Sequence, residues 1–168
     1  EIKDKFNGTS TLCIITEEDL KNIIEEHKIW LESKGKYGKR ASLRSTNLYK
    51  ADLKGCNLAY ADLQEAYLCG TQFDDACLIG ANIKFAVAFT AYFDGADCKR
   101  ANFKYSDLTT AGFIKADLTN ANFENTNCAG GFFWDAILKD ASFRSADLHY
   151  AQFAGAAFDG ADLQEAYL

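Results

Sequence analysis

Proline and methionine are absent from the 168 residues, and tryptophan and histidine occur only twice each. Without proline, no position lacks a backbone N–H donor. No stretch approaches 18 apolar residues, which excludes a membrane-spanning helix. The usual catalytic signatures are missing too: the chain contains no HExxH, no CxxC, no GxGxxG and no phosphate loop. Enzyme activity and a bound cofactor or metal are therefore not expected. Neither an initiator methionine nor a signal-peptide-like run opens the chain.

Positive charge is also in short supply. The formal charge is −6, and residues 1–40 balance eight basic against eight acidic side chains while residues 41–168 hold ten against sixteen. The whole deficit thus lies in the longer segment. Phosphate contacts need Lys and Arg, so nucleic acid is not an expected partner. Six cysteines are present, yet they do not read as a disulfide framework. Cys56, Cys98 and Cys128 fall on inward positions of the pattern described next, and Cys69 and Cys77 on outward ones. Unpaired thiols favour a reducing compartment, which makes the cytoplasm the expected location, with a processed exported or lumenal form as the alternative.

What the chain does contain is a five-residue beat. Every fifth residue from Leu43 to Leu168 is Leu, Phe, Ile, Cys or Ala, 26 positions in one register. Two residues before each stands a small residue, which is Ala at 20 of the 26. A period of five fits neither a 3.6-residue helix nor an alternating strand, so a repeat architecture is predicted.

The repeats read A-[DN]-[LF]-x-x, as in Ala51-Asp52-Leu53, Ala61-Asp62-Leu63, Ala101-Asn102-Phe103, Ala116-Asp117-Leu118, Ala121-Asn122-Phe123 and Ala161-Asp162-Leu163. From Ala41 to Leu168 the chain resembles the pentapeptide-repeat family. The resemblance implies a right-handed quadrilateral β-helix with four pentapeptides per coil. The expected fold class is then an all-β solenoid of about 6.5 coils, a rod of roughly 31 Å, with a short N-terminal α-helical cap. A capping segment over 1–40 and a β-helix over 41–168 are the expected parts.

At four repeats per coil the central residues sort into four columns. One is Leu53, Phe73, Phe93, Phe113, Phe133 and Phe153; the opposite one runs Leu43, Leu63, Ile83, Phe103, Phe123, Phe143 and Leu163. The remaining two are mostly Leu. Cys128 shares a coil with Phe123 and Phe133, a small residue offsetting two large ones. Ala88 and Cys98 share the coil of Ile83 and Phe93, where volume looks short and underpacking or a distorted corner is expected. Asn82, Asn102 and Asn122 align one coil apart, as in a ladder of side-chain hydrogen bonds.

Ahead of the repeats, Leu12-Cys13-Ile14-Ile15 suggests a short strand. Thr16 followed by Glu17, Glu18 and Asp19 suits the start of a helix over about 17–34, with Gly35 as its stop. Its apolar stripe, Leu20, Ile23, Ile24, His27, Trp30 and Leu31, is predicted to cover the first coil. Gly35 to Arg40 then leads into the rod as a basic, flexible stretch. The chain stops within a repeat, which leaves two readings open: a domain excised from a longer protein, or an end that stacks on a second copy or another partner.

Candidate chemistry is thin. His27 lies in the apolar stripe and reads as a packed histidine rather than a base for Cys13. His149 and Cys69 share an outward column but stand four coils apart, ~19 Å. Asp74 and Asp75, a strand residue and a corner residue, do not converge on a cation. The surface columns say more. Ile114 and Trp134 stack at one outward position, Tyr92 and Phe132 at another, and Phe85, Val87 and Phe89 add apolar surface beyond the next corner. Three readings stand for this patch: a partner site, intramolecular cover, or incidental exposure. Lys84 and Lys104 stack near Lys99 and Arg100, where they are expected to balance neighbouring acids.

The best-supported function on these grounds is a rigid, non-enzymatic scaffold for an unidentified protein partner. The resemblance adds an alternative, since some members of the family resemble B-form DNA and bind DNA gyrase. In this chain, however, lysines interrupt the acidic columns, and −6 is a weak imitation of a duplex with one charge per ~1.7 Å. A spacer or targeting domain of a larger protein is the third reading.

Overall fold

In the computed structural model, which describes residues 12–168, the chain is a right-handed quadrilateral β-helix preceded by one helix, α1 (Glu17–Glu32). The rod has no long strands. Each outward residue just before a central one forms a parallel bridge with the residue 20 positions on, from Ser42↔Asp62 to Asp147↔Tyr167. Twenty residues therefore close one coil of four faces. The bridges are ordinary ladder pairs: Leu43 N–H donates to the Asp62 carbonyl at 2.7 Å, and Asp62 N–H to the Ala41 carbonyl at 3.0 Å.

Corners follow from the last two residues of each repeat. The second of them takes a left-handed conformation, as at Lys50 (φ 56°), Glu65 (φ 61°) and Tyr105 (φ 64°). This backbone is unfavourable for residues other than glycine. Its cost is offset because the corner N–H reaches the next coil: Lys50 N–H donates to the Cys69 carbonyl at 3.0 Å and Tyr105 N–H to the Glu124 carbonyl at 3.2 Å. The Asp or Asn of the repeat holds the same turn. Asp117 Oδ1 accepts from Thr119 N–H at 3.1 Å, and Asn122 Oδ1 from Glu124 N–H at 2.8 Å. The asparagines thus differ from the expected ladder. Asn82 Nδ2 does reach one coil back, to Asp62 Oδ1 at 3.1 Å, but Asn102 and Asn122 spend their carbonyl oxygens on their own turns.

Phenylalanine fills the core. Rings one coil apart stack face to face, Phe93 on Phe113 at 4.8 Å and Phe103 on Phe123 at 4.7 Å, while rings of opposite columns meet edge to face, as Phe103 does with Phe113 at 5.6 Å. Phe73, Phe93, Phe103, Phe113, Phe123, Phe133 and Phe143 are buried to the last per cent. Phe153 departs from the expected core set. It is only half-buried, because the coil beyond it, with Leu163 and Leu168 exposed, covers it incompletely. Where small residues of the repeat are polar, their hydroxyls are satisfied: Thr71 Oγ1 donates to the Leu48 carbonyl at 2.7 Å and Thr126 Oγ1 to the Phe103 carbonyl at 3.0 Å.

The coil of Ala88 and Cys98 keeps its ladder, with both N–H groups bonded to the next coil at 2.7 and 2.8 Å. Its corner does loosen at one point. Ala86 N–H to the Ile83 carbonyl is the longest of the turn bonds, 3.4 Å. The Ser106 hydroxyl bridges this pair, accepting from Ala86 N–H at 3.1 Å and donating to the Ile83 carbonyl at 2.6 Å.

Ahead of the rod, Cys13 pairs in parallel with Thr46, adding a strand residue to the first coil. Thr16 caps α1 with a full capping box, its Oγ1 accepting from Asp19 N–H and Asp19 Oδ2 accepting from Thr16 N–H, both at 3.0 Å. The helix stops at Glu32, two residues short of expectation, because Lys34 turns to φ 54°. Leu20, Ile23 and Ile24 pack on the core of the rod. Trp30 instead stacks on His27, with ring centroids 5.6 Å apart, and Leu31 is half-buried. The stretch from Gly35 to Arg40 is a tied turn rather than a flexible lead. Gly38 passes so close to α1 that a Cβ would stand 2.3 Å from the Glu26 carbonyl oxygen, and Lys39 N–H donates to that oxygen at 3.1 Å. The part of the expected capping segment before Leu12 lies outside the described residues.

Replacing a stacked ring tests this account. Phe123→Ala is expected to cost about 3–5 kcal/mol in urea unfolding, and Phe153→Ala clearly less. Equal losses at the two positions would contradict a core that thins toward Leu168.

Candidate functional site

The residues first considered for chemistry do not assemble. Cys13 is exposed in its strand bridge, whereas His27 is fully buried. Ala41 N–H donates to His27 Nδ1 at 3.0 Å, so the neutral ring carries its proton on buried Nε2, which makes no well-formed hydrogen bond among the described residues. Burial lowers the His27 pKa; the Ala59 carbonyl pulls the other way and Arg40 adds to the lowering. His149 sits at the opposite end of the rod, its Nδ1 2.6 Å from Asp147 Oδ1 in an exposed pair. Among the described residues no group of His, Cys, Asp and Glu is arranged to hold a metal ion.

One cysteine departs from its expected place. Cys69, on an outward position, is fully buried, and its thiol reaches the Val87 carbonyl at 3.5 Å. Tyr67 folds down beside it and meets Phe89 edge to face at 6.4 Å, and burial pushes the Tyr67 hydroxyl up to about 12. Cys56 is half-buried, and burial raises the thiols of Cys98 and Cys128 as well.

Tyr92, Ile114, Phe132 and Trp134 do come together. With Thr90, Asp94, Thr110 and Gly112 they line a groove of about 390 Å³ across three coils. Trp134 is 39% exposed and Tyr92 47%, while Ile114 and Phe132 are half-buried; the Phe132 and Trp134 rings meet at 5.6 Å, tilted by 73°. Gly112 makes the notch. It stands between Tyr92 and Phe132 in one column, and a Cβ there would lie 2.8 Å from Asp94 Oδ1. With that space free, Asp94 folds over the glycine and accepts from Ile114 N–H at 2.9 Å. Burial raises the Asp94 pKa, the Ile114 N–H lowers it, and nearby Asp74 raises it further.

Phe85 and Phe89 lie elsewhere. Phe85 stacks on Tyr105 at 5.1 Å on another corner, with Lys84 and Lys104 over the rings, and Phe89 belongs to the Tyr67 cluster. Neither lines the groove. A cleft of about 510 Å³ marks the joint between α1 and the first coil, lined by Leu20, Ile24, Leu48 and Tyr49 among others.

Ion pairs run from coil to coil. Lys99 bonds Asp97 and Asp117 at 3.0 and 2.8 Å, Arg44 reaches Glu65 at 2.8 Å, Arg144 reaches Asp162 at 3.3 Å, and Lys104 pairs with Glu124. The acidic columns are therefore crossed by cations and form no continuous negative face.

Asp94 and Gly112 were not singled out from the sequence as parts of the patch. A signal was there: Gly112 is the one glycine among the 26 outward bridge positions, a gap between the aromatic residues Tyr92 and Phe132 of one column.

A solenoid that stacks side chains in columns at a spacing of 20 residues, with an aromatic groove on one face, is the architecture of a repeat protein. The chain belongs to the Pentapeptide repeats family, whose model matches eight copies over residues 39–58, 46–84, 91–127 and 133–164. Among solved structures it is similar to a trypsin-treated variant of QnrB1, a plasmid-mediated fluoroquinolone resistance protein, at 21% identity and TM-score 0.71, over 76% of this chain and 68% of that one. It is also similar to Rfr23, a pentapeptide repeat protein of the cyanobacterium Cyanothece 51142, at 17% identity and TM-score 0.50, over 81% and 99%. Curated proteins provide no match. No helix among the described residues is long and apolar enough to cross a membrane.

His27 makes α1 acid-sensitive. Its folded pKa lies below the unfolded value near 6.5, so the unfolded chain binds more protons and stability falls as pH drops through that value. The far-UV helical signal is expected to melt at lower urea at about pH 5.5 than at about pH 7.5. His27→Gln, which keeps an acceptor for Ala41 N–H, should abolish most of the shift. An unshifted wild-type midpoint would refute this role.

Proposed function

We propose that the chain is a non-enzymatic scaffold that holds a protein partner against the groove of Tyr92, Ile114, Phe132 and Trp134, with α1 serving as the cap of the first coil. The gathering of these four side chains around the Gly112 notch is the observation that carries the reading. Aromatic side chains at the centre of an interface supply most of its affinity, and a rod already ordered by its ladder loses little freedom on binding. The core packing of Leu20, Ile23 and Ile24 supports the part given to α1.

Co-purification with chemical crosslinking tests the reading on variants that leave the core intact. The double variant Ile114→Ser, Trp134→Ser is expected to weaken capture of a specific partner by about 30-fold or more. Tyr105→Ser, on a different corner, should leave it unchanged. Equal capture by both variants would sink the groove as the site.

Gyrase mimicry is separated by a supercoiling assay at low and moderate salt. No inhibition is expected, because lysines and arginines cross the acidic columns. Inhibition that fades with salt would move the site to those columns.

A further inference from the structure

The groove contains a carboxylate that the aromatic side chains do not account for. Asp94 is half-buried among Tyr92, Ile114 and Trp134, and its Oδ1 is engaged by the Ile114 N–H. No cation pairs with it among the described residues. Lys54 and Lys115 are the cations of the same face; Lys54 reaches Asp74 at 4.0 Å, and Lys115 makes no ion pair among the described residues. Elsewhere on the rod acids are commonly answered one coil away, Asp117 by Lys99 and Glu124 by Lys104. Around Asp94 the next coils offer Gly112, Ile114, Phe132 and Trp134 instead.

This combination selects among occupants. A purely apolar side chain over the groove would strip water from Asp94 and leave its charge uncompensated. A cation would meet the carboxylate while lying against the ring faces of Tyr92, Phe132 or Trp134, an arrangement favoured by the ring quadrupoles. Guanidinium fits better than ammonium, because it is planar, stacks on aromatic rings and is more weakly hydrated. Ile114 and Thr110 line the same groove and offer contact to an aliphatic stem.

We infer that the groove receives an arginine side chain of the partner, its guanidinium on Asp94 and its stem against Ile114 and the aromatic rings. The inference rests on the scaffold reading and specifies the chemistry of the partner. It also explains Gly112, since any larger residue would displace Asp94 from the position in which its second oxygen stays available.

The test uses small probes on the full isotope-labelled chain, read by the NMR signals of the Trp134 indole and the Gly112 amide. N-acetyl-arginine amide is expected to saturate these shifts at a concentration at least about tenfold below N-acetyl-norleucine amide, with N-acetyl-lysine amide between them. Asp94→Asn keeps an acceptor for the Ile114 N–H and should reduce arginine to the norleucine level. Trp134→Ala should weaken all three probes. Equal binding of arginine and norleucine, an arginine preference that survives Asp94→Asn, or no shift with any probe would overturn the inference. The scaffold reading fails separately. If the Ile114, Trp134 double variant loses its partner while arginine shows no preference, only the guanidinium assignment falls. If it keeps its partner while arginine binds, only the scaffold reading does.

Discussion

Each coil is held to the next by parallel backbone hydrogen bonds at a spacing of 20 residues, and this ladder governs every other feature of the rod. Because the register is fixed, side chains 20 positions apart must stack in columns at the strand spacing. The core then has no choice but to place like on like. Stacked phenylalanines suit such columns, since flat rings repeat comfortably at 4.6–5.0 Å, the distances seen from Phe73 through Phe143. A one-residue slip would send Phe113 outward and Gly112 inward, and the same would happen on every face. The left-handed corners belong to the same constraint, for they aim the corner N–H groups at the neighbouring coil.

The ladder also sets how outward side chains are displayed. Outward side chains on a convex rod diverge, so titratable residues on adjacent faces point away from one another. Along the Tyr92–Phe132 face a concavity arises where a column is interrupted. Gly112 provides such an interruption, and Tyr92, Phe132, Ile114 and Trp134 close around it while Asp94 lies across the floor. A groove formed this way is rigid because its walls are anchored by ladder residues. Its walls present aromatic faces and a single carboxylate to solvent.

At the other end, α1 meets the rod through an apolar stripe and one buried histidine. Leu20, Ile23 and Ile24 supply apolar contact, and His27 joins the two units by accepting the Ala41 N–H at the first residue of the first coil. Gly38 allows the chain to cross α1 in near contact before entering the repeats. The joint combines a contact that is indifferent to pH with a hydrogen bond that requires a neutral ring.

The five-residue beat determined that the chain is a repeat and which positions face inward; four repeats per coil, and with them the core columns, came from the resemblance to the pentapeptide-repeat family. The capping box at Thr16 was legible as well, since that motif is local. Which outward residues become buried was decided only in three dimensions. Cys69 disappears beneath Tyr67 because two outward side chains lean together, and no periodicity records a lean. Phe85 and Phe89, neighbours in sequence, were separated from Trp134 by the corners between faces. Asp94 carries no local signal in the sequence, and its place in the groove depends on the empty space above Gly112. Columns follow from the sequence period once a coil holds four repeats; the tilt of a side chain across a column depends on the size of its neighbours 20 residues away, and that is a property of the packed coil.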